Sequence, residues 1–377
     1  MKIVIAPDSF KESLTALEAA KAIESGMKKI LPGACFIKVP MADGGEGTVQ
    51  SLVDATDGRL ITKTVTGPLG TPVEAFFGIS GDEKTAVIEM AAASGLHLVP
   101  AGERNPLVTT TRGTGELIAA ALDLGVEHII IGIGGSATND GGAGMARALG
   151  ILLLDSDGKE IGEGGGAIGS LAAVNMDGLD KRLESVKIEV ACDVDNPLTG
   201  KRGASHIFGP QKGATQDMVE ILDNNLHHFA RIIMKDIGKD IEQVPGAGAA
   251  GGLGGGLMAF LSAELKRGVD IVLEATHLES QILDADFVIT GEGKIDGQTI
   301  FGKTPIGVAK TAKRHNVPVI AIAGNVASDS EVVHKHGIDA VFSVVPGVVS
   351  LEDAFKNAHT YVEKIAANIA TIIKLSR

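Results

Sequence analysis

Apolar and polar positions follow two rhythms along this chain. Residues 2–6 form a short apolar, β-branched run, then comes the polar stretch PDSFKES, then a 3.6-residue apolar pattern reaching about Ile30. That order predicts strand, loop and amphipathic helix, with Thr15 and Glu18 spaced as a capping box at the helix start. Residues 35–39 predict a second strand, and a helix opens near Thr48, so the chain begins as a β-α-β unit. From Arg59 to Ala91 the period shortens to two, which predicts three strands joined by turns at GPLG and SGDEK, an antiparallel meander. A helix near 115–124 leads into Ile129, Ile130 and Ile131, the pattern of a core strand in a parallel sheet. Residues 155–158 read as a turn and 162–169 as a flexible glycine run. Further on, 187–191 predicts a strand, 216–235 a long helix and 257–265 another helix. Strands at 286–290, 317–323 and 340–345 then alternate with helices near 305–315, 330–336 and 351–374.

Both ends of the chain therefore alternate strand and helix, whereas the middle does not. The fold class expected is α/β in two domains. Residues 1–65 and 283–377 would build one doubly wound parallel sheet, and 66–282 an inserted mixed α/β domain with glycine-rich loops. An active site is expected in the cleft between them. A length of 377 residues suits two domains better than one.

Composition narrows the function. A net charge of −13 without a basic stripe argues against a nucleic-acid or membrane-surface partner, so an anionic substrate has to be met by local cations. The two cysteines, Cys35 and Cys192, lack metal-ligand spacing and fit small core residues in a reducing cytoplasm. Neither a signal peptide nor a membrane-spanning run is evident. The 50 glycines are nearly twice the ordinary share, and they gather in polar loops, which favours sites lined by backbone.

One such loop follows the Ile129–Ile131 run: GIGGSATNDGGAG, with Ser136, Thr138, Asn139 and Asp140 between glycines. Three readings compete. Gly132, Gly134 and Ala137 satisfy the dinucleotide pattern G-x-G-x-x-A, with Asp155 downstream, but the polar residues prolong the loop where the fingerprint helix should begin. A phosphate or nucleotide cradle is the second, since glycines let amides point at an anion. In the third, Asn139 and Asp140 merely cap a strand-to-helix turn. The densest glycine run, PGAGAAGGLGGG, either receives a ligand or lets helices approach closely. GQTIFGKT at 297–304 satisfies the P-loop pattern, yet GEGKID separates it from its strand and Pro305 follows at once, so the match is read as fortuitous. His227 and His228, adjacent on a helix, point different ways and do not share a metal.

Carboxylates recur at strand ends: Asp8, Asp43, Glu46, Asp140, Asp193, Asp195, Glu292 and Asp296 all stand in loops with Gly or Pro. One of them is an ordinary turn residue, but so many suggest converging metal and base functions. Lys11, Lys212, Lys294 and Lys303 supply nearby cations, although each alone could be a solvated amine. Glycine cradles, carboxylates and lysines with no Cys or His nucleophile fit phosphoryl transfer, where a protein positions groups and neutralises charge.

The segments APDSFKESLTA (6–16), MADGGEGT (41–48), AVIEMAAASGL (86–96), GGSATNDGGAGMARALG (134–150), CDVDNPLTG (192–200), FGPQKGA (208–214) and TGEGKIDGQT (290–299) together resemble the bacterial glycerate kinase family. The resemblance covers nearly the whole chain. It implies ATP-dependent phosphorylation of D-glycerate with magnesium, and a flavodoxin-like domain formed by both chain ends around an inserted α/β domain. One departure is Lys294, where Arg is expected; a single amine cannot make a two-pronged clamp on an anion.

On this basis Asp296, and after it Asp193, is the expected proton acceptor. Lys11 holds the substrate carboxylate, with Asp8, Ser9, Asn139, Asn196 and Lys294 also at the acid. Gly134, Gly135, Ser136, Thr138, Gln211, Lys212, Gly291, Glu292 and Lys303 are expected at the nucleotide, and Asp43 and Asp140 at Mg2+. The favoured expected product is 2-phosphoglycerate, with 3-phosphoglycerate as the other regiochemistry. Expected partners are D-glycerate and a nucleotide, with self-association into a homo-oligomer left open and a cytoplasmic location. The alternative of a different class is a nicotinamide-dependent dehydrogenase of a small hydroxy acid; a third is a non-catalytic binding regulator.

Overall fold

Ile3, Val4, Ile5 and Ala6 are all fully buried, and they make Lys2–Pro7 an interior strand, β1. The computed structural model describes residues 1–376. Along it follow β2 (Cys35–Lys38), β3 (Arg59–Thr66), β4 (Pro72–Ile79), β5 (Thr85–Glu89) and β6 (His128–Gly132). Then come β7 (Leu152–Leu154), β8 (Ala173–Asn175), β9 (Lys187–Ala191) and β10 (Glu264–Lys266), and last β11 (Phe287–Ile295), β12 (Val319–Val326) and β13 (Ala340–Ser343). The chain divides into two compact units: Met1–Gly58 with the chain from Arg267 onward, and Arg59–Lys266.

The first unit holds a 5-stranded sheet in the order β13-β12-β11-β1-β2, with every pair parallel. Counted within the unit, this is the 2-1-3-4-5 order of flavodoxin-like folds. One face carries Ile3, Ile5, Ile289 and Ile322, packed with Ile23 and Met27 of helix Ala16–Lys28 and with Val362 and Ile369 of helix Ala358–Leu375. The two helices approach closely at Gly26, where a Cβ would overlap the Glu363 carbonyl. Helix Thr304–Arg314 lies against β11, β1 and β12. The expected capping box is present, with Thr15 Oγ1 accepting from the Glu18 amide at 3.2 Å and Glu18 Oε2 accepting from the Thr15 amide at 2.9 Å.

The second unit holds a 6-stranded sheet, β10-β9-β6-β5-β4-β3. β3, β4 and β5 form the antiparallel meander, and β5, β6, β9 and β10 run parallel. Its core joins Phe77, Ile88, Ile129, Ile131 and Val190 to Leu117 of helix Arg112–Leu122 and to Phe229 of helix Gln216–Ile237. Phe229 also meets Phe260 of helix Leu253–Leu261 edge to face, the ring centroids 6.0 Å apart. A 2-stranded sheet pairs β7 with β8.

Several local expectations are corrected. The GEGKI residues are not a loop but the second half of β11, paired through Glu292 with Ala323 and through Lys294 with Asn325. Strand geometry wins there because Gly291 and Gly324 allow neighbouring backbones to come close. The helix expected at 257–265 runs instead over Leu253–Leu261, ends at Ser262 with φ 53°, and is followed by β10. The helix expected at 351–374 is broken at Asn357 into Leu351–Lys356 and Ala358–Leu375. The run at 162–169 is packed rather than flexible: Asn225 Nδ2 donates to the Gly165 carbonyl at 2.9 Å, and a Cβ on Gly165 would crowd the Asn139 carbonyl.

Candidate active site

In a parallel sheet the carboxyl ends of all strands open on one edge, and ligands gather there. In the first unit that edge borders a cavity of ≈ 730 Å³, reached by Asp8, Ser9 and Lys11 after β1, Asp43 after β2, Glu292 and Lys294 on β11, and Lys303 before helix Thr304–Arg314. The sequence-selected residues of the two chain ends are therefore brought together.

Asp8 accepts from Thr304 Oγ1 at 2.6 Å on Oδ2 and from the Ser9 amide at 2.6 Å on Oδ1. Burial pushes its carboxyl up to about 6; Thr304 opposes the rise and the negative charge of Asp43 adds to it. Burial also raises Glu292, to about 7, against the opposing Lys303 ammonium 3.6 Å away and the Thr299 hydroxyl, which donates to Oε1 at 3.0 Å. Asp296 differs. Its Oδ2 meets Lys294 Nζ at 2.8 Å and its Oδ1 accepts from the Gln298 amide at 3.0 Å. The Lys294 bond in particular holds this carboxyl below the ordinary range. Gly291 is buried within β11, where a Cβ would overlap the Ile322 carbonyl, so its part is close strand pairing.

Because β11 continues to Ile295, the GQTIFGKT pattern does follow its strand directly, and the reason first given against a P-loop does not hold. The segment still fails as a cradle. It winds into a 3₁₀ turn at Thr299–Phe301 and reverses at Gly302, φ 106°. Thr299 and Thr304, both fully buried, are hydroxyls that the sequence reading missed and that donate to Glu292 and Asp8. Their signal was that same pattern, dismissed as a whole.

The second unit gathers the loop after β6. Asp140 is fully buried, and its carboxylate accepts from the Thr111 amide at 2.9 Å, Thr111 Oγ1 at 2.8 Å, and the amides of Gly142 and Gly144, each at 3.2 Å. Burial raises its pKa, and these bonds oppose the rise. A carboxylate with four donors anchors the loop. Thr111, which holds it, was also missed; the TTT run at 109–111 before a helix was the available sign.

Lys212 is 1% exposed, and its Nζ donates to Ser136 Oγ at 2.6 Å and to the Thr138 carbonyl at 2.7 Å. Burial lowers its pKa to about 7, with Asp140 opposing. In this conformation it braces the loop from within. Asn139 Nδ2 donates to Ser205 Oγ at 3.0 Å, while Asn139 Oδ1 and Thr138 Oγ1 are buried with no hydrogen-bond partner among the described residues. Gly134 and Gly135 are exposed at the loop tip, and the helix opens only at Ala143, after Gly142 with φ 80°. The dinucleotide fingerprint needs its helix to begin inside the motif, and here it does not.

The glycine-dense run explains itself by packing. A Cβ on Gly251 would overlap the Thr138 carbonyl, and one on Gly256 the Gly141 carbonyl. Asp193 and Gln211 are exposed on their turns. Asp195 is paired with Arg202 Nη2 at 2.9 Å, and Asn196 Nδ2 donates to the Arg202 carbonyl at 2.8 Å, so Asn196 fastens its own turn. His227 and His228 diverge, one to Glu242 at 2.5 Å and the other to the Leu171 carbonyl at 2.6 Å.

Residues 3–374 match the glycerate kinase family. The chain belongs to that family. It is 66% identical over 377 residues to glycerate kinase of Bacillus subtilis (strain 168), covering 100% of this chain and 99% of the relative. It is 59% identical to glycerate 2-kinase of Escherichia coli (strain K12), covering 100% and 98%. A crystal structure from Salmonella typhimurium LT2, provisionally named glycerate kinase 2, superposes with TM-score 0.93 at 58% identity, covering 100% and 99%. The glycerate kinase resemblance and the α/β fold class read from the sequence both stand, and the dehydrogenase alternative has no support. As a family member the chain has ATP and glycerate as its small-molecule substrates. Among the described residues no helix is long and apolar enough to cross a membrane.

Proposed function

We propose that the protein transfers the γ-phosphoryl group of ATP to the 2-hydroxyl of D-glycerate, giving 2-phosphoglycerate and ADP in the cytoplasm. The observation that carries this is the family match across residues 3–374, and the name of the Escherichia coli relative favours the 2-hydroxyl. The hydroxyl oxygen forms a bond to the γ-phosphorus as the bond to the β-phosphate oxygen breaks, and the hydroxyl proton passes to a carboxylate.

Of the carboxylates considered, Glu292 suits that proton best. A general base works best with a pKa near the operating pH, and Glu292 stands at about 7 beside the cavity. Asp296, the first choice from sequence, is tied to Lys294 and kept ionised, and is a poorer acceptor. Lys11 remains the proposed partner of the substrate carboxylate. Lys303 stands beside Glu292 and supplies a positive charge where phosphate charge develops.

The donor set also fits magnesium. Among the described residues no group of three or more side chains could cage a metal ion, but Mg2+ needs only one or two carboxylates when phosphates and waters complete its shell. Asp43 lines the cavity, its Oδ1 accepts from the Gly45 amide at 3.1 Å, and its carboxylate would hold the ion. When bound, Mg2+ would neutralise phosphate charge during transfer.

Phosphorus NMR of the product made from ATP and D-glycerate tests the proposal. A 2-phosphoglycerate resonance with stoichiometric ADP is expected. A 3-phosphoglycerate resonance would overturn the regiochemistry, and no phosphoryl transfer in a folded preparation would overturn the activity.

A further inference from the structure

The cavity of the first unit is far larger than glycerate requires. At ≈ 730 Å³ it falls in the range of sites for larger ligands, roughly 300–1,000 Å³, whereas a three-carbon acid has only a handful of heavy atoms. Its lining is also divided by the order of the sheet. The charged residues come from the β11, β1 and β2 side, with Glu292 on β11, Asp8 and Lys11 after β1, and Asp43 after β2. The opposite side, from β12, the connection after β13 and helix Leu351–Lys356, contributes Val326, Val345, Val349, Leu351 and Phe355. From β13 to β1 is three strand spacings, roughly 14 Å, the reach of an extended nucleotide.

Two further observations point the same way. Leu351 is 69% exposed and Val349 36% exposed although both line the cavity, so an apolar surface faces solvent at its mouth. Asn325 and Ser343 line the same side, and among the described residues their side chains make no hydrogen bond, which suits the edge of a heteroaromatic base.

We infer that this cavity is the adenine-nucleotide site, with the base and ribose against the apolar wall of Val326, Val345, Val349, Leu351 and Phe355, and the phosphates toward Lys303. The inference rests on the kinase reading and adds the place of the nucleotide. It places the nucleotide away from the Gly134–Gly135 loop of the second unit, where the sequence reading had expected it.

Leu351→Glu and Val349→Glu place a charge on the apolar wall at exposed positions that the fold tolerates. In the full-length protein the dissociation constant of a fluorescent N-methylanthraniloyl ATP, measured without glycerate, should rise at least tenfold. KM for ATP should follow it, with KM for glycerate within twofold of the parent. Photolabelling of the unaltered protein by 8-azido-ATP should mark peptides within 324–358. Unchanged nucleotide affinity in both variants, or label confined to 132–144 and 205–214, overturns the inference. Failure of the kinase reading would look different: nucleotide would bind, and no ADP would form with glycerate present.

Discussion

Lys212 Nζ donates to Ser136 Oγ at 2.6 Å, so a buried ammonium from the turn after Pro210 holds a hydroxyl in the loop after β6. It donates as well to the Thr138 carbonyl, which fixes the loop at both its side-chain and backbone level. The sequence presents Lys212 as one more lysine beside glycines, and the fold turns it into an internal brace.

Stability should register that brace through pH. Burial lowers the Lys212 pKa from 10.5 to about 7. Between those values the unfolded chain keeps a proton that the native state has released, so this residue makes stability rise with pH across roughly 7 to 10.5. In Lys212→Met that contribution disappears, while Ser136 and the Thr138 carbonyl lose their donor. Thermal melts of parent and variant across this range should differ in slope. Parallel melting curves would remove the buried, titrating role assigned to Lys212.

The acid limb of the rate profile should belong to Glu292. With its carboxyl raised to about 7, the group is protonated and unable to accept a proton below that pH, so kcat/KM should climb as pH rises through about 7. Glu292→Gln should lose that limb and at least a hundredfold in kcat, on the order expected for a positioned base, while still binding nucleotide. Asp296→Asn, which breaks the pair with Lys294, should keep the limb and most of the turnover. Should the limb vanish from the Asp296 variant and persist in the Glu292 variant, the two roles are reversed.

The sequence rhythm was enough for most of the parallel strands, which are continuous apolar runs whatever they pair with, and for the meander and the capped helix Ala16–Lys28, which rest on contacts local in the chain. It was enough for the family as well, since ordered motifs do not depend on packing. What it missed came from long-range contacts. GEGKI looks like a loop by composition, yet it is strand because β12 lies beside it. Asp140 and Lys212 show their charge in the sequence but not their burial or their partners far along the chain, Thr111 and Ser136, which the fold supplies. Thr299 and Thr304 drew no attention because a hydroxyl has no charge to mark it, although each donates to a carboxylate at the cavity. The apolar wall was invisible for a related reason, since Val349 and Leu351 read as ordinary loop and helix residues until the sheet order brings them to the cavity.

The glycine-dense run offers a test of whether its glycines serve packing. Gly251 has φ 69°, and a Cβ there would overlap the Thr138 carbonyl beneath the loop after β6. Gly238 has a similar φ of 76° at the end of helix Gln216–Ile237, but a Cβ there meets nothing within 4 Å. Both alanine variants incur the left-handed backbone penalty, about 1–2 kcal/mol. Only Gly251→Ala adds a collision with backbone, which cannot be relieved by turning a side chain. Denaturant unfolding should therefore find Gly251→Ala less stable than Gly238→Ala. Turnover should fall in the first and stay near the parent in the second, because the displaced atoms belong to Thr138 and Asn139. Equal losses in the two variants would mean that the run tolerates a side chain at Gly251, and that its glycines answer only to backbone conformation.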